Sequence, residues 1–145
     1  MKLTYQTAIA TLVQFITLSF LTFLNEANSV ITTCHNNGSN CGGNLFSSLW
    51  FFIVAALWFG AVWLLGTAAQ ESRSKRLAQL LILTELAVAV IALFNAKHHT
   101  DILSLFTSLV DIVLAIWVIT LAFRLMRASG GRVVNHQRPR KRLNH

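Results

Sequence analysis

The chain has 145 residues; 54% are hydrophobic, 12% are charged, and 12 Lys or Arg outnumber 5 Asp or Glu, a formal net charge of +7. Soluble domains carry about a quarter of their residues as charges, and mean hydropathy here is +0.58. These values exclude a disordered chain, a soluble enzyme of ordinary composition and a disulfide-dense secreted module. They also argue against reading the high pI as nucleic-acid binding, because no aromatic interleaving or recognition motif accompanies the basic residues.

Crossing a hydrocarbon layer of ~30 Å takes about 20 mostly apolar residues in a helix. In chain order, four stretches meet this requirement: about Tyr5 to Leu24, Asn44 to Gly66, Leu77 to Ala96 and Ile102 to Leu125. None contains proline. None alternates apolar and polar residues as barrel strands do. The predicted fold is an all-α integral membrane protein, a four-helix transmembrane bundle over residues 1–126. Residues 127–145 form a basic tail whose low apolar content predicts disorder. Asn25 to Gly43, rich in Asn, Gly and Ser, reads as an irregular loop. Lys97 to Asp101 reads as a tight hairpin, and Gly130 and Gly131 stand where the last helix should stop.

Orientation follows from positive charge. Lys2, Arg73, Lys75, Arg76, Arg124, Arg127, Arg132, Arg138, Arg140, Lys141 and Arg142 fall at one end of the predicted spans, which is 11 of the 12 basic residues. Only Lys97 falls at the other. Both termini are therefore expected in the cytoplasm, in a plasma, inner or secretory-pathway membrane. A rival reading makes the first stretch a signal peptide, with Ala27-Asn28-Ser29 as small residues before a cleavage point at Val30. The length of the apolar run and its Thr11, Gln14 and Thr17 favour a retained helix. Tyr5, Trp50 and Trp63 sit near predicted span boundaries, as interfacial anchors do.

The candidate site lies at the midplane. Glu85 and Asp111 each lie 13 residues from His98, so the third and fourth helices should carry them at about the same depth, near Gln14 of the first helix. A carboxylate there costs about 2.5–3.5 kcal/mol on insertion scales, so it should face protein or water. Ala78, Glu85, Ala89, Ala92 and Ala96 share one side of the third helix; Ser104, Ser108, Asp111, Ala115 and Ala122 share one side of the fourth. Such small faces permit close approach in lipid. The acids are thus expected along the contact of these two helices, protonated or sharing a proton, with Gln14 or a hydroxyl as partner. Thr4, Thr7, Thr11 and Gln14 make a polar stripe on the first helix. Ala56 and Gly60 offer a small-xxx-small contact on the second.

Cys34 and Cys41 enclose six residues on the outer side, and an oxidising compartment favours a disulfide between them. Metal capture by Cys34, His35, Cys41, His98 and His99 does not match a known zinc spacing. No metal or other cofactor is expected. Asn37-Gly38-Ser39 is a glycosylation sequon. Arg127, Arg132, Arg138, Arg140, Lys141 and Arg142 suit anionic lipid headgroups, each basic residue gaining about 1 kcal/mol near such a surface.

Taken together, these features predict a non-enzymatic accessory, scaffold or assembly component that partners a membrane protein or its own copies. A second reading is a proton- or cation-coupled small transporter or channel using Glu85 and Asp111, with Gln14 beside them. A membrane thiol oxidoreductase is the weakest, because two cysteines at this spacing provide no Cys-x-x-Cys relay.

Overall fold

The structure is a computed structural model and describes residues 3–37, 41–98 and 101–130. It contains four helices: α1 (Leu3–Asn37), α2 (Cys41–Ser72), α3 (Lys75–His98) and α4 (Ile102–Gly130). All four are long and apolar enough to cross a membrane, and the described residues contain no strand.

The helices overrun the predicted spans, most of all in α1. Residues 25–37 are helical rather than an irregular loop. Asn, Ser and Thr have modest helix propensity, but none of them stops a helix as Pro does. The hydroxyls of Thr32 and Thr33 also fold back, each donating at 2.8 Å to a carbonyl one turn earlier, Asn28 and Ser29 respectively. At 35 residues, α1 is about 52 Å long, well beyond the apolar layer it would cross.

Only Arg73 and Ser74 separate α2 from α3. Arg73 adopts a left-handed φ of 50°, the conformation that reverses the chain after a helix C-terminus. Ser74 accepts a hydrogen bond on its carbonyl from the amide of Ala78 at 3.1 Å, opening α3.

α1 packs on α2 and α4, and α3 packs on α4 and α2. The helices therefore form a four-cornered bundle, with α1 facing α3 across one diagonal and α2 facing α4 across the other. The α1–α2 contact is the most extensive of the adjacent pairs and α2–α3 the slightest. The core has three apolar layers. Ala69, Ala78 and Leu125 lie toward the α2–α3 turn. Ala10, Val62, Leu81, Val118, Leu121 and Ala122 form the middle layer. Leu18, Phe59 and Val88 form the third. Large side chains such as Ile16, Leu57, Leu83, Phe94 and Ile116 point outward, as expected where the surroundings are hydrocarbon.

A glycine sets the α1–α2 distance. A Cβ on Gly60 would meet Phe15 at an ordinary 3.7 Å, whereas a Cβ on Gly66 would come within 2.6 Å of Thr11 Oγ1. Gly66 is therefore the point of close approach. Phe15 and Trp63 stack across the same interface with centroids 6.4 Å apart, and Phe23 meets Phe52 edge-on at 5.2 Å. Trp63 is thus half-buried in a helix contact, while Trp50, Trp58 and Trp117 remain exposed.

Candidate functional site

α1 contributes Gln14 and α3 contributes Glu85; both side chains are 0% exposed. Gln14 Nε2 donates to Glu85 Oε2 at 2.7 Å. Sequence spacing places this contact between two of the apolar layers. Ala10 and Leu81, one turn to one side, belong to the middle layer, and Leu18 and Val88, one turn to the other, belong to the third. A buried amide or carboxyl group without a partner costs roughly 1–3 kcal/mol or more, so each side chain is held in place by the other's need.

The bond runs across a diagonal of the bundle. Gln14 is one of the partners expected for Glu85, and the bond reaches it through the bundle interior. Glu and Gln have the length to meet at the centre, where shorter Asp or Asn would leave a gap.

Asp111, on α4, is half-buried and lies within electrostatic reach of Glu85. No described hydrogen bond joins it to Glu85 or Gln14. The predicted trio is therefore a bonded pair with a second acid nearby. Gln14 Oε1 and Glu85 Oε1 are buried and have no partner.

Thr7 and Thr11 are buried, but their stripe does not extend the polar contact. Thr11 Oγ1 donates within its own helix, to the carbonyls of Thr7 at 3.1 Å and Ala8 at 3.0 Å. The side chain of Thr4 lies outside the described residues. On α3, Ala78 and Ala92 are buried and Ala89 and Ala96 half-buried; on α4, Ser104, Ser108, Ala115 and Ala122 are buried.

Cys34 is half-buried near the end of α1, and no described cysteine is a free thiol. Its pairing with Cys41 depends on a side chain outside the described residues. The sequon's Gly38-Ser39, the side chains of Asn37 and His98, His99, and Arg132, Arg138, Arg140, Lys141 and Arg142 of the tail lie outside them too. Arg127 is described and exposed. Among the described residues no group of three or more His, Cys, Asp or Glu is placed to hold a metal ion.

Sequence reasoning missed one feature at the far end of the bundle. Asn25, Asn28, Ser29, Thr32 and Thr33 line a cleft of about 860 Å³ together with the start of α4. Their three-and-four spacing is a helical signature, hidden by a composition that reads as loop.

Antiparallel apolar helices closed around a central polar contact define an all-helical bundle whose four helices are long and apolar enough to cross a membrane. No family model, curated protein or solved structure matches the chain.

Proposed function

We propose that this protein is a non-enzymatic membrane component, an accessory, scaffold or assembly subunit, with both termini cytoplasmic and its basic tail on anionic headgroups. The observation that carries this reading is the sealed Gln14–Glu85 contact. The most conspicuous acid of the chain is engaged in holding two helices together and is shielded from solvent. Neither of the two described cavities is lined by Gln14, Glu85 or Asp111. Interhelical polar bonds of this kind stabilise membrane bundles by about 0.6 kcal/mol on average, which suits a rigid platform for a partner. A Cys34–Cys41 disulfide would pin the α1–α2 connection of that platform.

The test is isolation of the full chain in mild detergent through a C-terminal tag. A defined complex with a larger membrane protein, or a stable assembly of its own copies, is expected. A monodisperse monomer that conducts ions after reconstitution would overturn the proposal.

A second reading, proton or cation coupling, is favoured by Asp111 beside Glu85 and by the two unpartnered oxygens. Intramembrane acids commonly mark ion or proton pathways. It requires flux in proteoliposomes that disappears in both Glu85→Gln and Asp111→Asn; flux that survives both changes removes its basis.

A further inference from the structure

The cleft where α1 passes the start of α4 has chemistry of its own, independent of the central contact. One wall is polar and comes from α1, including Asn28, Thr32 and Thr33; the other is the first turns of α4, with Asp101, Ile102 and Phe106. Thr32 and Thr33 donate their protons to carbonyls of their own helix, so what their oxygens offer the cleft is lone pairs. Asparagine carbonyls add acceptors. Among the described residues, Asp101 is the sole charged side chain lining it, and no lysine or arginine does so. Glu26 and Lys97 are the nearest other charges along α1 and α3, and neither lines the cleft.

The α4 wall is apolar and open: Ile102 is 87% exposed and Phe106 53% exposed. The cleft therefore joins an acceptor-rich, negatively charged pocket to a strip of exposed hydrocarbon. It does so where an apolar helix begins, the level of a membrane–water boundary.

We propose that this cleft binds the headgroup of a phospholipid bearing a primary ammonium. An –NH₃⁺ group supplies three donors to the threonine and asparagine oxygens and a positive charge to Asp101. The lipid's chains would lie along Ile102 and Phe106. A quaternary ammonium carries charge but no N–H donor, and a headgroup with net negative charge meets Asp101 unfavourably.

The test uses the full chain in nanodiscs containing equal phosphatidylethanolamine and phosphatidylcholine, extracted gently, with the retained lipid counted by native mass spectrometry. About fivefold enrichment of phosphatidylethanolamine is expected, the ratio supported by one net hydrogen bond from an N–H donor that phosphatidylcholine lacks. Asp101→Asn and the Thr32→Val/Thr33→Val pair should both return the ratio to that of the bulk lipid, with helical content unchanged by circular dichroism. Glu26→Gln should preserve the enrichment. Equal retention of the two lipids by the unaltered chain, or enrichment that survives Asp101→Asn, would overturn the proposal. Displacement of the lipid by millimolar free ethanolamine would overturn it as well, by making a soluble amine the ligand.

Discussion

Gln14 and Glu85 provide for each other what neither finds alone in a hydrocarbon setting. Gln14→Leu removes the donor and leaves a buried carboxyl group unsatisfied; the loss should be about 1–3 kcal/mol, read as a lower melting temperature in detergent. Glu85→Gln keeps an acceptor oxygen for Gln14 Nε2 and should fall much less, whereas Glu85→Ala should fall as far as Gln14→Leu. Equal stability of all three variants would deny the contact a structural role. The glycines make a second residue-scale contrast. Gly66→Ala places its Cβ 2.6 Å from Thr11 Oγ1, an atom on a stiff β-branched side chain. Overpacking of this sort costs typically about 1–3 kcal/mol, and Thr11→Ala in the same chain should recover part of it. Gly60→Ala, with 3.7 Å available, should be neutral or mildly stabilising in the same assay. Glu85 was legible because an ionisable residue in the middle of an apolar run must turn away from lipid toward protein or water. Its partner was legible in part: depth pointed to Gln14 or a hydroxyl, and the observed bond is to Gln14. Gly66 was hidden, since close approach depends on which residue of the neighbouring helix arrives at that height.

At the scale of elements, the four apolar runs were plain in the sequence. The length of α1 was not. Composition over 25–43 resembles a loop, but periodicity over 25–33 is helical, and the helix continues because Thr32 and Thr33 satisfy their hydroxyls on its own carbonyls. The α2–α3 connection invites a direct test. A left-handed φ on a non-glycine residue costs roughly 1–2 kcal/mol, and Arg73 bears it at 50°. Arg73→Gly should therefore raise thermal stability by about 1 kcal/mol, while a β-branched Arg73→Val should lower it. Lys75 and Arg76 remain to mark that end of the bundle, so orientation should not change in either variant.

Over the whole molecule, four helices are long and apolar enough to cross a membrane, and an even number of crossings would leave both ends of the chain on one side. Tags at the two ends should be protected together or digested together by an added protease. Charge asymmetry predicts that they share the cytoplasmic side, and opposite accessibilities would refute both statements. The bundle also has two unequal seams. α1–α2 and α3–α4 are closely packed hairpins; between them lie the α1–α4 contact and the slight α2–α3 one, crossed at the centre by the Gln14–Glu85 bond. That geometry has a consequence for biosynthesis. The first hairpin is made before the second, so in a bilayer the neutral amide of Gln14 would precede the Glu85 acid, which would arrive to a partner already in position. Co-expressed fragments 1–73 and 74–145 should then find each other and copurify, and Gln14→Leu should weaken their recovery as a pair.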